Sequence, residues 1–242
     1  MSADGHGSAP VSLRERRRAA AVREIVDAAE LHITEHGPFA LSLRAVARSL
    51  GMTVQALYHY FASRDELVTA LIAKNYDDLA DGVQAAVDNA ADDTQLPRLV
   101  HAAEGYRRWA ITHPQRFQLL YGTPLPSYAA PEDGSTTRAM RRMSAVFERE
   151  LFAGYTSSQL SAIATPVLSP QFRARLSQQP PAGSDALPAP AAALMLSAWG
   201  HMHGLVVLEA FGHTAFLGEH QAELFRTAML NMLTEVHSHI PA

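Results

Sequence analysis

The sequence predicts an all-α protein built from a small N-terminal three-helix module joined to a larger helical bundle. Three observations carry this. Apolar residues recur at three- and four-residue spacing along most of the chain. No stretch alternates apolar and polar side chains as a half-buried strand would. Near the N-terminus, two short helical runs flank a glycine-containing turn, the pattern of a helix-turn-helix.

The helices follow in order. Val22, Ile25, Val26, Ala29 and Ile33 form one buried stripe from Arg17 to His36, which Gly37-Pro38 stops. Ser42 precedes a second helix of about two turns whose inner face is Leu43, Val46, Ala47 and Leu50, with Arg44 and Arg48 on or beside the other. Gly51 accepts the left-handed backbone of a tight helix exit, and Thr53 caps a third helix. There Val54 and Leu57 face inward with Phe61 beyond, leaving Gln55, Tyr58 and His59 on the outer side. Ser63 and Glu66 form a capping box for a fourth helix, which runs from about Arg64 into the high eighties through Leu67, Leu71, Ile72, Tyr76, Leu79, Val83 and Val87. Its length suits a connecting helix. Periodicity returns over residues 97–112, 115–121, 136–157, about 187–212 and 219–237, and more weakly over 158–176. Gly122–Gly134 and Ser177–Pro190 read as loops, and the ends, up to about Leu13 and after Val236, as frayed. The module is placed at residues 14–64 and the bundle at 75–242.

Composition narrows the function. The 242 residues are 48% hydrophobic and 18% charged, the range of globular chains. No cysteine is present, which removes disulfides, thiolate nucleophiles, iron–sulfur centres and cysteine-bearing zinc sites. The first 24 residues carry Arg14, Arg16, Arg17, Arg18 and Arg23 without an apolar run, so no signal or anchor is expected and a cytoplasmic location is. Ala186–Leu208 lacks Asp, Glu, Lys and Arg, but Pro188, Pro190, His201 and His203 interrupt it and favour a buried helix over a membrane span. Charge is uneven: residues 12–64 hold eight Arg against five acids, whereas 75–242 hold eleven Arg against sixteen acids. A basic first part on an acidic body permits nucleic-acid binding, as it also permits an ordinary solvated surface.

The outer side of the third helix sharpens this. Gln55 can pair bidentately with adenine, and Thr53, Tyr58, His59 and Arg64 can donate to phosphate oxygens. The segment Leu41–Leu67, LSLRAVARSLGMTVQALYHYFASRDEL, resembles the DNA-binding region of TetR-type bacterial transcriptional regulators. The family's alanine and glycine fall at Ala47 and Gly51, and its aromatic signature at Tyr58, Tyr60 and Phe61. Tyr60 stands where the family often has histidine, and Arg64 where it has lysine. The resemblance implies a ligand-responsive repressor that binds a palindromic double-stranded DNA operator as a homodimer. Thr53, Tyr58, His59 and Arg64 would hold the backbone, Ser42 or Arg44 would assist, and Val54, Gln55 and Ala56 would carry operator preference. Arg14, Arg16, Arg17 and Arg18 would add counterion release or reach the minor groove, unless they are a solvated helix start.

A single such module contacts about 600–1,000 Å² of DNA, so a second copy is expected, held by the larger part. The helix from about Ala191 to Phe211 is the candidate interface, with Ala193, Gly200, Gly204 and Gly212 roughly on one side and Met195, Leu196, Trp199, Met202, Val206 and Leu208 around it. Residues 219–237, with Leu224, Met229, Leu230, Leu233 and Val236, would complete a four-helix interface, or both helices would be intrachain core. AWGHMHGLVVLEAFGH resembles the tryptophan–histidine–glycine signature of one C-terminal ligand-binding subclass, at Trp199, His203 and Gly204, and Glu104–Tyr121 resembles that subclass's earlier helix pair. An unidentified small-molecule effector is thereby implied, with Trp109, Phe117, Leu120, Tyr121, Phe147 and Trp199 as candidate lining. His203 is either a ligand contact or a packed residue with one satisfying hydrogen bond. Glu209, in an apolar run, must reach water, pair with His203 or His213, or contact the ligand, and it joins the candidate ligand-binding residues.

Enzyme readings fare worse. No HExxH, GxSxG, dinucleotide-binding glycine pattern or P-loop occurs, and the twelve histidines do not gather with carboxylates at metal-ligand spacing. His237 and His239 near the terminus are expected to dangle rather than to scavenge metal weakly. No catalytic residue, metal or cofactor is expected; a dimeric adaptor and a helical enzyme are the competing classes.

Overall fold

The computed structural model describes residues 12–90, 95–122, 128, 129, 131, 134–164, 168–178 and 187–241, which hold eleven α-helices, two 3₁₀ turns and no strand. The chain divides into two compact units.

The first unit contains α1 (Leu13–His36), a 3₁₀ turn (Pro38–Ala40), α2 (Leu43–Ser49), α3 (Val54–Tyr58) and the start of α4 (Arg64–Asp88) as far as Leu71. Ile25, Ala29, Ile33, Val46, Leu57, Leu67 and Leu71 fill its core. Tyr128 joins it through a 3.1 Å hydrogen bond with Thr69 Oγ1. α1 starts four residues before the expected Arg17 because Ser12 and Glu15 form a capping box. Ser12 Oγ accepts from Glu15 N at 3.2 Å and Glu15 Oε2 from Ser12 N at 2.8 Å, contacts that also hold the Glu15 carboxyl below its ordinary pKa. Leu13 is therefore helical rather than frayed; residues 1–11 lie outside the described residues.

The turn is built as its residues require. Gly51 has φ +63°, with Gly51 N donating to Arg48 O (3.1 Å) and Met52 N to Ala47 O (2.8 Å), which together make a Schellman closure. Thr53 Oγ1 then accepts from Ala56 N at 3.1 Å to open α3. Ser42 occupies the N-cap of α2 without a side-chain capping bond. At the head of α4, Ser63 Oγ accepts from Glu66 N, but Glu66 Oε2 reaches Ala62 N, one residue upstream of the expected box partner.

The second unit contains the rest of α4, α5 (Arg98–Thr112), α6 (Pro114–Tyr121), α7 (Ser135–Leu151), α8 (Ser157–Ser161), α9 (Pro170–Ser177), α10 (Ala189–Ala210), a 3₁₀ turn (Ala215–His220) and α11 (Gln221–Ser238). α4 and α5 approach closely at Gly105, where a Cβ would stand 2.7 Å from that of Ala86 and 3.2 Å from Val83 Cα. Arg142 of α7 pairs with Asp77 and Asp81 of α4, and Arg98 of α5 with the buried Glu150 of α7 at 3.0 Å.

Three expectations are corrected here. The helix read over 136–157 ends at Leu151, because Gly154 turns the chain at φ +86° and Thr156 with Gln159 caps α8 afresh. The chain end is not frayed after Val236: α11 reaches Ser238, Ile240 is buried, and Ala164 N donates to His239 O at 3.2 Å. Nor does His237 dangle, since its Nε2 donates to the Leu151 carbonyl at 3.0 Å and its ring meets Tyr155 edge-on at 5.2 Å. The two expected loops fall largely outside the described residues.

α10 differs in degree from the buried helix that was expected. Ala191, Ala198, Met202 and Val206 enter the core, whereas Leu196, Gly200, Leu208 and Phe211 are exposed, and 22% of its most apolar 18-residue window is buried within the chain. By length and composition alone it could cross a membrane. In α11, Met229, Leu233 and Val236 turn into the core and Leu224 points outward at 44% exposure.

Candidate nucleic-acid interface and ligand site

The outward side of α3 rests on a fixed inner side. Leu57 is fully buried and Phe61 nearly so, which leaves Gln55 and His59 exposed, Tyr58 at 44% exposure, and Val54 and Ala56 half-covered. Thr53 and Arg44 are exposed and Ser42 half-buried. Arg64 is held in part by its own fold: Nε donates to the Leu41 carbonyl at 3.4 Å, and a terminal nitrogen lies 4.0 Å from Asp65. The surface so formed presents an amide, three hydroxyls, an imidazole and two guanidinium groups, the donor set that phosphates and base edges require.

Sequence reasoning did not single out Arg18. A terminal guanidinium nitrogen donates to the His59 carbonyl at 3.1 Å, and the group lies over the Tyr60 ring at 5.5 Å. A cation thus sits at the C-terminal end of α3, where the helix dipole favours it, and the ring of Tyr60 provides its seat. No sequence pattern links two residues 41 positions apart in this way.

The second unit has an aromatic centre. Tyr106 of α5 is hydrogen-bonded to His203 Nδ1 at 2.8 Å and meets Phe117, Phe147 and Trp199 edge-on at 6.1, 6.0 and 5.3 Å. Trp199 and His203 stack almost parallel, 5.5 Å apart, and Tyr121 lies 4.6 Å from the His203 ring. Burial pushes the hydroxyls of Tyr106 and Tyr121 well above their ordinary pKa and lowers that of His203, so each favours its neutral form. The Tyr121 hydroxyl is buried beside those of Tyr76 and Tyr106, with which it interacts.

The expected lining residues therefore divide. Phe117, Tyr121, Phe147, Trp199 and His203 converge, whereas Trp109 and Glu209 stand apart from them. Trp109 lies 5.2 Å from the Arg116 guanidinium, which donates to Asn75 and Asp78 of α4. Glu209 pairs with Arg107, not with His203 or His213: Arg107 Nε donates to Oε2 at 2.6 Å and a second nitrogen to Oε1. Both side chains are largely buried, at 14% and 8% exposure, so the fork geometry replaces the water Glu209 would otherwise need. Phe147 and Trp199 also line a crevice of about 20 Å³, room for roughly one water, with Met195, Met202 and Met232 among the other walls. Among the described residues, no charged side chain lines it.

A helix-turn-helix unit followed by an all-α body defines the class of helix-turn-helix transcriptional regulators. Residues 25–71 match the family model for bacterial regulatory proteins of the tetR family, and residues 99–232 that for the tetracyclin repressor-like C-terminal domain. The chain belongs to the TetR family. It is 41% identical over 138 residues to the HTH-type transcriptional regulators Rv1816 of Mycobacterium tuberculosis and Mb1846 of Mycobacterium bovis, an alignment covering 57% of this chain and 59% of theirs. The alignment thus spans less than two thirds of those curated relatives. Among solved structures, the regulatory protein SCO4313 is 34% identical with a TM-score of 0.69, covering 92% of this chain and 100% of that one. A Rhodococcus sp. RHA1 protein of unknown function, 19% identical with a TM-score of 0.62 over 96% of this chain and 98% of its own, shares the fold. The family is one of bacterial regulatory proteins, and the curated relatives are named as HTH-type transcriptional regulators.

Proposed function

We propose that the chain is a ligand-responsive repressor that binds a palindromic DNA operator as a homodimer in the cytoplasm. The observation carrying this is the exposed Gln55–Tyr58–His59 side of α3, backed by the buried Leu57. α3 enters the major groove, with Gln55 and the neighbouring Val54 reading base edges. Ser42, Arg44, Thr53, Tyr58, His59 and Arg64 hold the phosphates. The outward ridge of α10, with Leu224 of α11, meets its counterpart in a second copy. Among the described residues outside the helix's own backbone, nothing lies within 4 Å of a Cβ placed at Gly200 or Gly204, so another helix can approach there.

The body belongs to the tryptophan–histidine–glycine subclass, a reading supported by Trp199 stacking on His203 one turn along α10. Phe117, Tyr121, Phe147, Trp199 and His203 surround the effector, with Trp109 and Glu209 acting through the shell outside them. Effector binding favours a spacing of the two DNA-binding units that fits the operator poorly, and release follows from that difference in affinity.

The test is selection of duplexes from a random pool by the purified full-length protein. The expected product is an inverted repeat whose half-sites are about 10 base pairs, or a multiple, apart. A dimer that retains no duplex at low salt would overturn the proposal.

A further inference from the structure

α3 is five residues long, too short to keep a helical shape without its neighbours. Its first end is fixed by the Gly51 turn and by Thr53 Oγ1 accepting from Ala56 N, and its inner side by the buried Leu57 and Phe61. The far end carries the exposed Tyr58 and His59, and there the backbone tightens: His59 N donates to Ala56 O at 3.2 Å and Tyr60 N to Leu57 O at 2.9 Å. The final carbonyls of a helix have no partner within it. Arg18 takes one of them, the His59 carbonyl, at 3.1 Å, while its guanidinium carbon lies 5.5 Å from the centroid of the Tyr60 ring. The arginine is itself well anchored. It stands about two turns before Ile25 on the same side of α1, and Ile25, Ala29 and Ile33 fix that side in the core.

We propose that Arg18 is a positioning residue for operator recognition: carried by α1, it holds the C-terminal end of α3 and so sets the angle at which Gln55, Tyr58 and His59 meet the groove, without touching DNA itself. This role rests on the DNA-binding reading given above and replaces the minor-groove reach expected of Arg18. Reaching a phosphate would cost the guanidinium both its carbonyl partner and its aromatic seat. The carbonyl it holds belongs to His59, whose imidazole is part of the outer surface, so the backbone that aims that surface is the backbone Arg18 restrains. Base readout depends on the angle of α3 more than phosphate attraction does, since bidentate pairing is directional and counterion release is not. Loss of Arg18 therefore weakens specific binding selectively.

Arg18→Met keeps an apolar stem and a good helix former while removing the donor and the charge. Its binding is measured in the full-length protein by fluorescence anisotropy across a salt series, on the inverted repeat selected from the random pool and on a scrambled duplex of equal length. The expected result is about a three- to tenfold loss on the selected duplex, with affinity for the scrambled one retained. The slope of log affinity against log salt should stay at the parent value. A phosphate contact gives the opposite: both duplexes weaken alike and the slope falls by about 0.9. Tyr60→Leu removes the seat without changing charge and should reproduce the selective loss; combined with Arg18→Met it should cost less than the two losses together. Tyr60→Phe keeps the ring and should behave as the parent. Without DNA, the amides of residues 57–61 should exchange hydrogen faster in Arg18→Met, and those of α2 at the parent rate. Equal weakening with a shallower slope, a lowered melting midpoint with an unchanged ratio of the two affinities, or unchanged exchange over residues 57–61 would overturn the proposal. A parent protein that retains no duplex overturns the DNA-binding reading and this role with it, whereas a binding parent matched by Arg18→Met on both duplexes overturns the role of Arg18 alone.

Discussion

At the scale of single residues, three side chains carry separable predictions. Arg107→Met would leave Glu209 buried without its partner, and breaking one side of a buried ion pair destabilises by about 3–5 kcal/mol. Urea unfolding should show that loss, and Arg107→Met combined with Glu209→Leu should recover most of it. His203 works through protons. Burial lowers its pKa from the unfolded value near 6.5, so below that pH the unfolded chain binds more protons than the native one. Its contribution is present above about pH 6.5 and is lost as the pH falls through the lowered native value; His203→Gln should flatten this part of a melting-temperature profile relative to the parent. On the DNA side, Gln55→Ala should alter base preference. Tyr58→Phe and Arg64→Ala should weaken binding to most sequences alike. A base-by-base operator scan in which all three give the same sequence-independent loss would contradict this division. The N-terminal arginines looked equivalent in the sequence, yet Arg18 is bound to the end of α3, a distinction that becomes visible once α1 is folded against it.

At the scale of elements, periodicity located every major helix, because a buried stripe every three or four residues is a local property. Errors arose where capping chemistry outweighed the pattern. Ser12 and Glu15 start α1 early, and Gly154 with Thr156 splits one apolar run into α7 and α8. The partner of Glu209 was illegible for a different reason. Arg107 lies 102 positions away, and spacing rules reach four residues along a helix. α10 was the hardest element to read, since a helix apolar nearly all round does not reveal which of its sides faces its own chain. Gly204→Leu tests the outward side directly. Among the described residues outside the helix's own backbone, nothing lies within 4 Å of the added Cβ, so the subunit should fold unchanged while sedimentation reports a monomer.

For the molecule as a whole, the charge asymmetry of the sequence runs in the same direction as the division into two units, and the family model for the DNA-binding region ends at Leu71, where the N-terminal stretch of the first unit also ends. The helix-turn-helix was legible because Gly51, Thr53 and the residues after them are consecutive. The aromatic centre was legible as a list of residues but not as a site, because its members come from helices far apart in sequence. The open ridge of α10 also bears on how the protein behaves as it is diluted. Leu196, Leu208 and Phe211 stand 41–56% exposed on an isolated copy, an apolar surface that association would shield from water. Mass action then ties folding to assembly, and the thermal midpoint should climb as protein concentration is raised across several decades. A midpoint indifferent to concentration would mean that each subunit stands alone, with that greasy seam left wet.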